Sequence, residues 1–163
     1  MTIDLKSIAD ELGPVFEARA AQLDETDGFV AENYSDLRER GVFAALSPEK
    51  YGGAGATHSQ MCDFIRTIAR SCPATALSVS MHQHLVGSAV LNDAAGRPGR
   101  KLLEAVAQKD VALISTGAND WLDSNGSAKR VSGGFEVTAI KPFASGSPAG
   151  DILVTSAAYD DPE

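Results

Sequence analysis

The chain has 163 residues, 44% hydrophobic and 22% charged, with a net charge of -8 and an isoelectric point near 4.8. That supports one domain, or one and a half, of ordinary soluble composition. The acidic balance and the lack of a Lys/Arg run argue against a nucleic-acid partner, and no apolar run approaches the roughly 20 residues of a membrane span.

Met1-Thr2-Ile3-Asp4-Leu5-Lys6 leads straight into a helical pattern without a signal-peptide layout, so the cytoplasm is the expected location. Ile8, Leu12, Val15 or Phe16, Arg19 and Leu23 recur at three- and four-residue steps, all but Arg19 apolar, with Asp4 as the cap. Gly13-Pro14 predicts a kink or break inside that helix. A turn over Asp24 to Gly28 precedes a short helix, Ala31 to Arg40, stopped by Gly41.

Gly52-Gly53-Ala54-Gly55 invites a phosphate-loop reading. Neither G-x-G-x-x-G nor Gly-Lys-Ser/Thr is present, and a tight structural connection is expected instead. Thr57 or Ser59 caps a helix with the stripe Met61, Phe64, Ile65, Ile68 and Ala69. Pro73 opens the next helix, Ala74 to Leu91, which is apolar or small nearly all round. Such a helix is buried centrally or lies at a subunit contact. Cys62 and Cys72 read as small buried thiols; on one helix they would stand about 15 Å apart, beyond disulfide reach.

Arg97-Pro98-Gly99-Arg100 breaks the chain before a short helix, Lys101 to Lys109. The pattern then turns to strands. Val111 to Thr116 is an apolar run ending in hydroxyls. Gly117 to Gly126 reads as a loop carrying Trp121, the only tryptophan. Ser127 to Ser132 and Phe135 to Ile140 form a hairpin around Gly133-Gly134, with period-two burial of Val131, Phe135, Val137 and Ala139. Asp151 to Ala157 is a further strand. The expected class is α+β, with an α-helical domain over 1–110 and the start of a β domain over 111–163.

Three places could carry chemistry. His82 and His84 are two apart and do not share a helix face, so they make a poor metal pair; one packs inward and the other meets solvent. No spacing matches a zinc site, and no Gly-x-Ser-x-Gly elbow supports a hydrolase. Ser115-Thr116 and Phe143-x-Ser145 are the better candidates. Hydroxyls at strand ends can bond the polar edge of a heteroaromatic ring while an aromatic covers its face. Ordinary strand-end capping and a core phenylalanine explain the same residues.

An ordered set of motifs carries a resemblance across nearly the whole chain. It comprises Pro48-Glu49-Lys50-Tyr51-Gly52-Gly53-Ala54-Gly55, Met81-His82-Gln83-His84-Leu85, Lys101-Leu102-Leu103, Gly133-Gly134-Phe135-Glu136-Val137 and Lys141-Pro142-Phe143-Ala144-Ser145. In this order they resemble the N-terminal and early middle regions of the acyl-CoA dehydrogenase family. The resemblance implies a helical domain, an antiparallel β-barrel-like middle domain and a C-terminal helical bundle that this sequence does not reach. It implies FAD, with FMN or reduced flavin as the alternative. Phe143 would pack on the flavin ring and Ser145 would bond near its N5. Ser115 or Thr116 would meet the pyrimidine edge, and Asn119 stands where the family places a serine that helps hold phosphate or pantetheine.

The implied function is oxidation of an acyl thioester with hydride transfer to FAD, by an enzyme expected to be a homo-oligomer acting on a small molecule such as acyl-CoA. The catalytic carboxylate belongs to the missing bundle, so no catalytic residue and no metal ligand is assigned here. The family's Glu-Pro is absent around Thr116-Gly117. That departure and Asn119 point to the alternative, a reduced-flavin-dependent monooxygenase of the same fold. A third reading is a non-catalytic assembly module that uses Ala74 to Leu91 as its contact.

Overall fold

The structure is a computed structural model that describes residues 3–159, with the side chains of Ala118 and Asn119 excepted. The first helix, α1 (Leu5–Glu25), is capped by the Asp4 carboxylate, which accepts from the Ser7 amide at 3.0 Å. Leu5, Ala9, Leu12 and Phe16 bury its inner stripe. The predicted break at Pro14 does not occur, because α1 runs through it. Proline inside a helix costs on the order of 3 kcal/mol; burial of Leu12 and Phe16 on either side offsets it.

Helix α2 (Ala31–Glu39) joins α1 through Arg19, whose guanidinium donates to Asp36 at 2.7 Å and to Asn33 at 2.8 Å. The segment 52–55 closes a tight connection, as expected. The amides of Gly53, Ala54, Gly55 and Ala56 donate to the carbonyls of Pro48, Ala44, Ser47 and Ala45. Those donors are spent internally, so they cannot cradle a phosphate. Helix α3 (His58–Ile68) starts on a capping box between Thr57 and Gln60. It packs on α1 through Met61, Phe64 and Ile68.

Helix α4 (Pro73–Ala94) is the central element, touching α3, α5 (Arg100–Lys109) and the first strand. Ala76, Val79, Leu85, Val86 and Ala89 face the core, while Leu77 and Leu91 are exposed. Of the two cysteines, Cys72 is buried before α4 but Cys62 is exposed on α3. The buried reading fails for Cys62 because its position lies off the stripe that faces α1.

Strand β1 (Leu113–Ser115) pairs in parallel with β4 (Ile152–Val154). The hairpin of β2 (Ser127–Val131) and β3 (Gly134–Thr138) is antiparallel, and β5 (Ala158–Tyr159) adds to β2 in parallel. The α+β class holds, with mixed pairing and no closed barrel among the described residues. The predicted burial on the hairpin does not hold: Val131, Phe135, Val137 and Ala139 are exposed, and so is every other residue of β3. The expected loop after β1 contains a short helix, α6 (Ala118–Leu122). No helix among the described residues is long and apolar enough to cross a membrane.

One buried side chain ties the helices to the strands. His82 on α4 is 1% exposed. Its Nδ1 accepts the Leu113 amide at 2.8 Å, so the ring proton sits on Nε2 and is donated to the Phe43 carbonyl at 2.9 Å. Burial pushes its pKa from 6.5 down to about 4, keeping it neutral.

Between pH 6.5 and about 4 the unfolded chain takes up this proton and the folded chain does not. The stabilisation is complete above pH 6.5 and is lost as pH falls toward 4, by roughly 3 kcal/mol. Replacing His82 by Phe strands one buried donor and one buried acceptor. We expect His82→Phe to lose about 2–4 kcal/mol at pH 7 in urea unfolding. The gap to the parent protein should narrow between pH 6.5 and 4; a gap independent of pH would refute the neutral bridge.

Candidate functional site

The predicted site residues fall in two segments that the fold brings onto one structure. Ser115 closes β1 and is fully buried. Its Oγ accepts the Gly117 amide at 3.2 Å and lies 3.3 Å from Nε2 of His84. Because Oγ already accepts, its own proton is available to the imidazole. Burial lowers the His84 pKa below its ordinary value, so the ring is neutral at pH 7. His82 therefore packs inward while His84, one of the exposed residues of α4, reaches the surface, as the sequence predicts.

Thr116 is also buried, but its hydroxyl is committed. It donates to Asp120 Oδ2 at 2.6 Å, and the Thr155 hydroxyl donates to the same oxygen at 2.9 Å. The Ser156 hydroxyl donates to the Asp120 carbonyl at 2.6 Å. Lys141 reaches the other carboxylate oxygen, Oδ1, and also donates to the Asn125 carbonyl at 2.6 Å. Lys141 and Asp120 side chains are only 9% and 6% exposed. Lys141, then Thr116, holds the Asp120 carboxyl well below the usual carboxylate range. This polar knot fastens α6, the end of β1, the segment after β4 and the start of the 141–150 loop together.

That loop carries the second pair of predicted residues. Phe143 takes a left-handed backbone, φ +60°, and its ring is 86% exposed. The amide of Ser145, a half-buried residue, donates to the Phe143 carbonyl at 2.9 Å. Gly146 then seats the loop on the helices. A Cβ there would stand 2.6 Å from Tyr34 Oη and 3.4 Å from Ile114 Cδ1, so only glycine fits. Burial pushes the Tyr34 phenol up to about 12, so it stays neutral under the loop. The contact with Ile114 places the loop against β1. The side chain of Asn119 lies outside the described residues, although its backbone belongs to α6.

A groove of about 1380 Å³ opens beside this assembly. One wall is α4, from Ser80 to Asn92, with His84 among its residues. The α4–α5 connection and the start of α5, Arg97 to Leu102, line the groove too. Trp121 and Leu122 of α6 and Val154 of β4 complete it. Neither the groove nor the Asp120–Lys141 pair was anticipated from sequence. The i, i+4 spacing of His84 with Ser80 and Ser88 was the available signal for the groove. Nothing local links Asp120 to Lys141 across 21 positions.

These elements define an α+β fold in which a helical unit and a strand layer meet at a groove. The family model described as acyl-CoA dehydrogenase, N-terminal domain, matches residues 6–110, and the chain belongs to that family.

Among curated proteins, the chain is 29% identical over 140 residues to a pigment production hydroxylase from a Rhodococcus species, covering 83% of this chain and 33% of that protein. It is 27% identical over 171 residues to benzylmalonyl-CoA dehydrogenase from Aromatoleum aromaticum, covering 99% and 45%. The chain thus spans less than half the length of these relatives. In fold it is similar to methanesulfinate monooxygenase from Pseudomonas fluorescens, with TM-score 0.85, 24% identity, and coverage of 99% and 41%. It is likewise similar to an FMN-bound dibenzothiophene monooxygenase from a Paenibacillus species, with TM-score 0.80, 21% identity, and coverage of 97% and 40%.

The polar knot makes a sharp prediction. Lys141→Met leaves an enclosed carboxylate without its cation, which is worse than removing both charges. In thermal unfolding at pH 7, the parent should melt highest, the Asp120→Asn/Lys141→Met double variant next, and Lys141→Met lowest. Equal melting of the single and double variants would sink the charge-pair account.

Proposed function

We propose that this chain forms one wall of the flavin site in a flavin-dependent oxidoreductase, and that the full reaction is a reduced-flavin monooxygenation of a small molecule. The carrying observation is that Gly146 and Gly150 seat the 141–150 loop, which carries Phe143 and Ser145, on Ile114 of β1, the residue before Ser115. The division at residue 110 belongs to the same proposal. The residues fit a flavin in kind: Phe143 offers an exposed aromatic face and Ser145 a hydroxyl. FMN bound to the Paenibacillus neighbour supports this cofactor class.

When bound, reduced flavin supplies the two electrons that let one oxygen atom enter the substrate while the other leaves as water. This chain's residues act around that chemistry. Phe143 excludes water from one side of the ring, and Ser145 orients the ring by a hydrogen bond. His84, neutral at pH 7, holds or accepts a proton at Nε2 at the groove wall. Thr116 is a poorer partner for the flavin edge than the sequence alone suggests, since its hydroxyl serves Asp120.

The hydroxylase relative and the monooxygenase neighbours support this reading over a dehydrogenase. So does the apolar wall of Trp121 and Leu122 in the segment where the family resemblance implies a phosphate or pantetheine contact. A dehydrogenase remains the second reading, supported by the benzylmalonyl-CoA dehydrogenase relative that matches 99% of the chain. A homo-oligomer is part of the proposal, supported by the exposed Leu77 and Leu91 of α4.

The test is flavin binding followed by turnover. The protein should bind FMN or FAD, and Ser145→Ala should weaken binding about tenfold, or roughly 1.4 kcal/mol. Oxygen uptake should require reduced flavin. Dye reduction by an acyl-CoA without reduced flavin would move the assignment to the dehydrogenase. No flavin binding at all would overturn both.

A further inference from the structure

Ile114, the middle residue of β1, is 4% exposed and pairs with Leu153 of β4. Its side chain meets the 141–150 loop at two glycines. A Cβ on Gly150 would stand 2.1 Å from Ile114 Cγ1 and 2.4 Å from its Cδ1. A Cβ on Gly146 would stand 3.4 Å from the same Cδ1. The two glycines are needed for different reasons. Gly146 has φ +84°, a left-handed backbone that favours glycine whatever surrounds it. Gly150 has φ -87° and ψ 141°, which any residue adopts. Glycine at 150 is therefore required by space alone, and the space is taken by Ile114. A buried β-branched side chain has few rotamers with which to yield, so this contact fixes a distance.

The loop above the contact is bonded to itself. The Ser145 amide donates to the Phe143 carbonyl at 2.9 Å, the Ser147 amide to Ala144 at 3.1 Å, and the Ala149 amide to Gly146 at 3.0 Å. A single 3-10 turn, Ser147–Ala149, links the two glycines. These joined turns carry a shift at Gly150 back to Ser145 and Phe143. Both ends of the loop are pinned by charge. Lys141 sits on Asp120, and the Asp151 carboxylate accepts the Ala112 amide at 2.7 Å and Arg38 at 3.2 Å. On the helical side Tyr34 is the floor, its ring 5.2 Å from those of Phe29 and Phe43. With the ends and the floor fixed, the Ile114 side chain sets the height of the loop over β1.

We propose that Ile114 is a positioning residue. Through Gly150 it sets how far Phe143 and Ser145 stand from Ser115, the next residue along β1, and so the width of the slot open to a planar ring. This deepens the flavin reading above and rests on it for its functional meaning. Ile114 is buried and acts through the loop. A displaced wall loses affinity because packing contacts weaken over fractions of an ångström.

Gly150→Ala, Ile114→Ala and the double variant form a size-swap cycle. In the double variant the Cβ of residue 114 faces the added methyl at 3.5 Å, an ordinary contact. Hydrogen exchange at the amides of Ser145, Ser147, Ala149 and Asp151 reports the loop without needing flavin. Titration with FMN and with FAD reports the slot. We expect each single variant to speed exchange at these amides and to weaken flavin binding about tenfold. The double variant should return both to within about threefold of the parent. Its melting temperature should nonetheless stay below the parent's, because core atoms are still missing.

Affinity that simply follows melting temperature across the four proteins would overturn the positioning role. So would a Gly150→Ala protein with the parent's exchange and affinity. A Gly150→Ala protein that folds only when Ile114 is also replaced would uphold the seat, and comparing Ile114→Ala with the double variant then decides the affinity claim. A parent that binds neither flavin but shows rescued exchange would defeat the flavin reading, and the positioning role with it, while the steric seat stands.

Discussion

The interaction on which the structure depends is the pair of hydrogen bonds made by His82. One ring spans from α4 to the Phe43 carbonyl on one side and the Leu113 amide on the other. Those partners lie 39 positions before and 31 positions after it. The cost of burying an imidazole is met by keeping it neutral and satisfying both nitrogens. With β1 fixed against α4 in this way, Ser115 and His84 meet at the surface of the same joint.

Everything on the strand side is then positioned relative to β1. Asp120 gathers hydroxyls from both sides of the β1–β4 pair and neutralises itself with Lys141. An enclosed carboxylate tolerates few alternative geometries, since each displaced partner leaves charge uncompensated. The loop that follows Lys141 is consequently held at both ends, by the knot at its start and by Gly146 under Tyr34 further on. Phe143 projects between these two anchors. A rigid loop presenting an exposed aromatic is suited to covering a planar ligand, because little ordering cost remains to be met on binding.

The groove draws its character from the same arrangement. Helix α4 turns its large core residues toward α3, α5 and β1, which leaves a mixed face for the groove. The α4–α5 connection is pressed onto that face at Gly99, a residue without a side chain, with Arg97 two positions before it and Arg100 directly after it.

Much of the helical half was legible in the sequence. Periodicity locates α1 to α5, Thr57 and Pro73 mark two helix starts, and the glycines at 52–55 mark a connection. Local rules suffice there because each stripe is buried by neighbours of the same type. They failed on the hairpin, where every residue of β3 is exposed, and Pro14 does not break α1.

For the site, residue type and motif order singled out Ser115, Thr116, Phe143 and Ser145 as candidates. Only the tertiary structure decided that Thr116 is tied to Asp120, that Lys141 closes a knot, and that His84 faces a groove also lined by Arg97 and Lys101. Those relations join residues far apart along the chain through partners that no local pattern specifies, and a hydrogen bond exists only once the fold has brought donor and acceptor within reach.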